Sequence, residues 1–201
     1  MGTRAAWRSS TIRIASALIA IAGILLASCA STPEEEPQTP PRIGLPLVAP
    51  STLGATRSVQ QVLHAKYGDQ ESTLSAVLQV TPTLLQVIAM NGVGLRVFTL
   101  KYDGSRLRGE TIPGLPEQIE PERVLADLQL AMWPLHALRS AAAGTQWQVD
   151  EDATTRTLKH NGKLVAEVHY ETRSPWKGKL QLVNHLFGYS LDVDSKPLEE
   201  P

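Results

Sequence analysis

Thr155-Arg156-Thr157-Leu158-Lys159-His160-Asn161-Gly162-Lys163-Leu164-Val165-Ala166-Glu167-Val168-His169-Tyr170 is the stretch that decides the fold class. Asn-Gly readily takes the two positive-φ positions of a two-residue hairpin turn. The arm after it alternates, with Leu164, Ala166, Val168 and Tyr170 on one face and Val165, Glu167 and His169 on the other. Period two over this length predicts a half-buried strand. Working outward, Thr145–Val149 around Trp147 and Gly178–Asn184 read as strands. After the turn at Leu186-Phe187-Gly188, Tyr189, Leu191 and Val193 alternate with Ser190, Asp192 and Asp194. The first half repeats the pattern over Ser58–Tyr67, Ser72–Val80, Thr83–Met90, Leu95–Tyr102 and Ser105–Thr111. Gly68-Asp69, Pro82, Asn91-Gly92 and Asp103-Gly104 mark the turns between them. About ten strands with short connections predict antiparallel neighbours, and a sheet that wide must curl. The expected fold is mainly β: a curved antiparallel sheet forming a half-open barrel with an interior.

One segment breaks the alternation. In Pro121–Arg139, Val124, Leu125, Leu128, Ala131, Met132, Leu135 and Leu138 recur at helical spacing. Pro121 suits a first helical turn and Glu122 complements the helix dipole. Pro134 removes an amide and should kink or split the helix. The segment therefore reads as one kinked helical lid over the concave face of the sheet. Trp133, beside the kink, suits either plain core packing or the lining of a cavity. The expected cavity lining is Leu78, Val87, Phe98, Leu100, Leu128, Met132, Trp133, Leu135, Leu182 and Tyr189.

The N-terminus has a different character. Arg4, Arg8 and Arg13 are the only charged residues before Cys29, and Ile14–Ala27 is an apolar run. That run is shorter than the roughly 20 residues a transmembrane helix wants, and its basic flank makes it a signal peptide. Leu26-Ala27-Ser28-Cys29 has the form of a lipobox, and Cys29 is the chain's only cysteine. Residues 1–28 are expected to be cleaved and Cys29 acylated, with two or three chains holding where one would be marginal. The alternatives are an ordinary signal peptide with an incidental cysteine and an uncleaved anchor. Ala30 and Ser31 follow Cys29, and the lack of Asp there favours the outer membrane, facing the periplasm. Pro33, Pro37, Pro40, Pro41, Pro46 and Pro50 make residues 29–56 a lipidated, extended tether. The organisation expected is thus signal peptide 1–28, tether 29–56, barrel 57–195 and a disordered tail 196–201.

Composition excludes several classes. The net charge is −1; losing three arginines from 19 basic residues leaves 16 against 20 acidic ones. A mildly acidic chain without a basic block is a poor nucleic-acid binder. His64, His136, His160, His169 and His185 show no metal-ligand spacing, so no metal and no cofactor is expected. There is no nucleophile elbow and no phosphate-binding glycine loop. Asp127 and Asn184-His185 fit a polar anchor between helix and sheet better than an acid–base set. The chain reads as no enzyme.

Val97-Phe98-Thr99-Leu100-Lys101-Tyr102-Asp103-Gly104, Pro113-Gly114-Leu115-Pro116, Ala126–Leu135 and Leu182–Leu191 together resemble a family of proteobacterial lipoproteins of unassigned function. Members are encoded near genes for fatty-acid or aryl-polyene lipids, and the family is similar in architecture to the lipoprotein carrier and receptor LolA and LolB. The resemblance implies an open barrel with a helical lid and an apolar cavity. It implies binding of an acyl or polyene lipid, or of lipoprotein acyl chains, in transport or membrane placement. The partners it implies are a periplasmic carrier or an inner-membrane exporter, besides the membrane. The turn at Asn91-Gly92-Val93-Gly94 is shorter than the protruding loop of LolB. Two other functions remain: a structural or assembly lipoprotein with a solid core that binds protein partners, and a lipid-ester hydrolase.

Overall fold

The computed structural model describes residues 44–112 and 120–198. The expected signal peptide, Cys29, the tether as far as residue 43, the motif Pro113–Pro116 and the tail from 199 lie outside the described residues. Ten strands form one antiparallel sheet: β1 (Arg57–Tyr67), β2 (Gln70–Val80), β3 (Leu85–Asn91), β4 (Arg96–Tyr102), β5 (Leu107–Thr111), β6 (Trp147–Glu151), β7 (Thr155–His160), β8 (Lys163–Tyr170), β9 (Gly178–Asn184) and β10 (Tyr189–Pro197). Their order is β5-β4-β3-β2-β1-β10-β9-β8-β7-β6. Two five-stranded meanders therefore meet where the first strand pairs with the last. The sheet ends at β5 and β6 without pairing them, so the barrel stays open.

The hairpin that decided the class forms as read. Asn161 and Gly162 both take positive φ, 51° and 76°, and His160 pairs with Lys163. Inward positions alternate along each strand. Val59, Leu78, Val87 and Leu100 lie side by side in register across β1 to β4, and all four are buried. A bulge interrupts each meander, between Ala89 and Met90 in the β3–β4 pairing and between Leu158 and Lys159 in the β7–β8 pairing. Bulges bend and twist a sheet locally, which helps one this wide to curl.

The lid is two helices, which corrects the single kinked one. α1 (Pro121–Met132) and α2 (Leu135–Ala142) are separated by Trp133 and Pro134, both extended, with ψ of 154° and 136°. The ring of Pro134 drives the preceding residue out of the helical region. It also removes the amide that would serve the Leu130 carbonyl. Together the helices carry the chain from β5, against which α1 packs, to β6, against which α2 packs.

Both ends of the barrel unit extend beyond their expected bounds. Residues 196–201 were expected to be a tail, but Lys196 and Pro197 pair with Gln60 and Val59, and Leu198 N donates to Ser58 O at 2.9 Å. Residues 44–56 were expected to be solvated tether, yet Leu45, Val48 and Pro50 are buried in the core. This stretch is a strap ending in a short 3-10 helix, Pro50–Leu53, closed by Gly54 at φ 77°. Its proline content blocks regular sheet and helix, and its leucines and valine find apolar cover nonetheless.

Gly109 on β5 sets how closely α1 approaches the sheet, because a Cβ there would overlap the ring of Pro121. Gly109→Ala is expected to lower stability by about 1–3 kcal/mol through overpacking. Gly92→Ala, where nothing stands within 4 Å, serves as the neutral control. Thermal unfolding of the two variants checks this, and equal midpoints would refute it.

Candidate functional site

The surface between the helices and the sheet is where a cavity was expected. Of the ten expected lining residues, Leu78, Val87, Phe98, Leu100, Met132, Trp133 and Leu182 are buried, and Leu128, Leu135 and Tyr189 are part-buried. Leu78 and Leu100 are 0% exposed and Trp133 is 1%. Side chains with no surface open to a water-sized sphere line no hollow. The core takes them in with Leu125, Leu130 and Leu138 from the helices and with Leu45 and Val48 from the strap. The expected open trough is therefore filled, and Trp133 is a core residue.

The strap fills its part of the trough through a few specific contacts. The Gln129 side chain grips it in both directions: Val48 N donates to Gln129 Oε1 at 2.9 Å, and Gln129 Nε2 donates to Val48 O at 2.7 Å. A buried backbone pair outside any sheet needs such a partner. Trp133 Nε1 donates to Thr52 Oγ1 at 3.0 Å. At the β4–β5 turn, Gly104 has φ 97°, and a Cβ there would stand 3.1 Å from the Ala49 Cβ. The glycine admits the strap at close approach.

Two polar clusters fix the helices to the sheet. At the C-terminal end of α1, Arg156 on β7 is buried and donates to the carbonyls of Leu130 at 2.6 Å and Trp133 at 2.8 Å. It also pairs with Glu151 and lies over the Tyr170 ring at 5.6 Å. Tyr170 OH donates to Ala131 O at 2.8 Å, and burial holds its phenol up at about 12. The carbonyls left open where Pro134 ends the helix thus receive a cation and a hydroxyl, which also suit the negative end of the dipole.

Nearer the start of α1, Asp127 meets Asn184 of β9 and Tyr189 of β10. Tyr189 OH donates to Asp127 Oδ2, Asn184 Nδ2 donates to Oδ1 at 3.3 Å, and Asn184 Oδ1 accepts the Phe187 amide at 3.1 Å. The Arg123 guanidinium stacks on the Phe187 ring at 3.7 Å. Desolvation pushes the Asp127 carboxyl up to about 6 against the pull of Tyr189, Asn184 and Arg123. Burial and the facing carboxylate raise the Tyr189 phenol strongly. The expected anchor is thus present for Asp127 and Asn184. His185 leaves it and faces Glu167 at 2.9 Å on the exposed side. A carboxylate, a phenol and an amide that satisfy one another make a clasp between α1 and the sheet.

The outer face carries a polar row in register across six strands: Thr73, His64, Asp192, Gln181, His169 and Thr155. Gln181 Nε2 donates to Asp192 Oδ1 at 2.8 Å, and each histidine meets a threonine hydroxyl. A shallow groove of about 570 Å³ lies over this row. A second, of about 320 Å³, lies beside Arg156 and Glu151. None of the ten expected lining residues borders either groove. Among the described residues, no group of three or more His, Cys, Asp or Glu side chains could hold a metal, and no helix is long and apolar enough to cross a membrane.

The sequence profile of a family described as a protein of unknown function, DUF3261, matches residues 58–197. The chain belongs to the DUF3261 family. Its match runs from β1 through the last residue of β10, so the unit the DUF3261 profile describes is the ten-stranded sheet with its helices, and the strap lies outside it. No curated protein matches the DUF3261 chain in sequence. A crystal structure of a DUF1329 family protein from Desulfovibrio piger is similar at 7% identity over 73% of this chain and 87% of that one, with a TM-score of 0.37. So distant a likeness says nothing about activity.

The Asp127 clasp has a pH signature. Its carboxyl titrates near 6 in the folded state against 3.8 for the ordinary group. An acid raised in this way contributes stability that is fully present below its unfolded pKa and is lost as pH rises through the folded one. Unfolding free energy is expected to fall by roughly 2–3 kcal/mol from this group between about pH 4 and pH 7. Asp127→Asn should remove that fall. Urea unfolding of both proteins across this range measures it, and identical profiles would contradict it.

Proposed function

We propose that this DUF3261 protein is an outer-membrane lipoprotein, acylated at Cys29 and facing the periplasm, whose half-barrel takes an acyl or polyene chain in the trough now held by its own strap. The carrying observation is the strap: its Leu45–Ala49 stretch is an apolar, proline-bearing peptide outside the sheet and the helices, held to α1 by the Gln129 side chain. Leu45 to Ala49 is a linear apolar object. Five extended residues span at most about 17 Å, a length suited to a fatty chain. Binding would exchange one linear apolar occupant for another, so the net gain is the difference between two burials. The lipobox reading of Leu26–Cys29 supplies the tether, and the resemblance to LolA and LolB supports lipid transport or placement, with a periplasmic carrier or an inner-membrane exporter as donor. No bond needs breaking for such a transfer.

The second reading is an assembly lipoprotein with a solid core that binds protein partners. The complete burial of Leu78, Leu100 and Trp133 favours it.

Gln129→Ala separates the two. It strips the Val48 backbone of both partners, at a net of about 1 kcal/mol per hydrogen bond or more. If the strap is a displaceable occupant, the folded variant should bind a fluorescent long-chain fatty acid about tenfold or more tightly than wild type, because the competent state becomes more populated. Native mass spectrometry of the membrane-purified protein should show an acylated chain beginning at Cys29. A folded variant that binds no fatty acid would sink the carrier reading and leave the solid one.

A further inference from the structure

We propose that a second copy of this chain adds to the free edge of β5, joining two ten-stranded sheets across a two-fold axis at Gly109. This stands independently of lipid carriage and of the anchor.

An open sheet has two edges, and here they differ. On β6, Gln146 O accepts from Asn161 N and Asp152 N donates to Thr155 O, so the even positions face β7. Trp147, Val149 and Glu151 therefore turn their backbone groups to the free side. Trp147 N donates to Thr145 Oγ1 at 3.1 Å, and Val149 O accepts from Arg139 Nε of α2 at 3.0 Å. That edge is guarded by its own chain. On β5, Asp103 N donates to Arg106 O and Ile112 N donates to Val97 O, so the even positions face β4. Leu107, Gly109 and Thr111 turn their backbone groups away from the sheet. Among the described residues, nothing bonds to those groups. An unpaired edge is a template for another strand. With only one edge open, pairing closes on itself as a two-fold dimer and builds no fibre.

Charge names the occupant. Arg108 and Glu110 flank Gly109 on the outer face, both are exposed, and neither has an ion pair among the described residues. Arg108 lies in register opposite Lys101 of β4, cation beside cation, while Glu110 lies opposite Thr99. An edge that repels neighbours carries one sign of charge; this one carries both, set symmetrically about a residue without a side chain. When Gly109 pairs antiparallel with Gly109 of a second copy, Leu107 exchanges its backbone hydrogen bonds with Thr111 of that copy. Arg108 then stands directly opposite Glu110 of the second copy, at a non-hydrogen-bonded position where Cα atoms are about 4.5 Å apart. The symmetry forms this pair twice, and each time a carboxylate joins a row that ended in two cations. A slip of two residues keeps backbone bonds but sets Arg108 opposite Arg108, or Glu110 opposite Glu110, so charge selects the register. On the inner face, Pro121 packs against Gly109 and brings the start of α1 near the axis. Of the acids there, Glu120 is paired with Arg123 at 3.2 Å. Glu122 and Glu110 are thus set against Lys101 and Arg108. The edge is five residues long, so the contact belongs with the small, concentration-dependent interfaces.

The test is native mass spectrometry of the full protein purified from membranes, over a concentration series. Wild type should show twice the single-chain mass as concentration rises. Arg108→Glu alone and Glu110→Arg alone should each remain single, because both place like charges opposite each other. An equal mixture of the two variants should form the mixed pair, and the double exchange in one chain should restore the like pair. Hydrogen exchange reads the edge itself: the amides of Leu107, Gly109 and Thr111 should be protected in wild type and lose that protection in Glu110→Arg. A wild type that stays single at every concentration would overturn the proposal. So would a doubled mass that neither charge change disturbs, which would put the contact on another face. A bound mass other than that of a second copy would overturn it too, giving the edge to a foreign peptide.

Discussion

The pairing of β1 with β10 is the constraint on which the rest depends. Nine residue pairs, from Val59 with Pro197 to Tyr67 with Tyr189, join the first strand to the last across 122 to 138 positions of sequence. Each half is a meander of local hairpins, so its contacts close short loops at little entropic expense. The β1–β10 seam is the long-range step, the kind that slows folding. Its inward positions include a buried polar pair, Gln61 Nε2 donating to Ser195 Oγ at 3.0 Å. A one-residue slip would break that bond and turn the Val59 and Val193 face outward. Without the seam there would be two five-stranded sheets and no common concave face for the helices.

The helices depend on that concavity. α1 interrupts at Pro134 and leaves carbonyls that water would otherwise serve; Arg156 and Tyr170 serve them from β7 and β8. Asp127 is desolvated against β9 and β10, and its charge is opposed by burial and favoured by two donors. These buried polar contacts add little net stability compared with apolar packing. Their effect is positional, since each ties a point on α1 to a particular strand in the second meander.

The strands and their turns were legible because period two and the Asn-Gly, Asp-Gly and Gly-Asp signals agree with one another. β8 and β9 begin and end at the residues the alternation marks. Asp127 and Asn184 were legible as polar groups on otherwise apolar motifs. Arg156 was missed, although the signal existed: it shares an inward face with Leu158, and Pro134 had already announced an unserved carbonyl. The strap was hidden by its composition. Six prolines between residues 30 and 56 read as one solvated linker, and nothing local divides the stretch before Gly44 from Leu45, Val48 and Pro50, which the trough buries. The expected cavity failed for the same reason, since its filling comes from a segment assigned elsewhere.

A fold held by a central seam, with an irregular occupant in its trough, should open in a definite order. The strap is kept by Gln129, Trp133 and a few apolar side chains, whereas the seam is kept by the whole sheet. Hydrogen exchange of the native protein tests this directly. The account predicts that amides of β1 and β10 exchange only on global unfolding, and that the buried Val48 amide exchanges by an opening of much lower free energy. Protection at Val48 equal to that of the seam would contradict it, because the strap would then be a permanent part of the core.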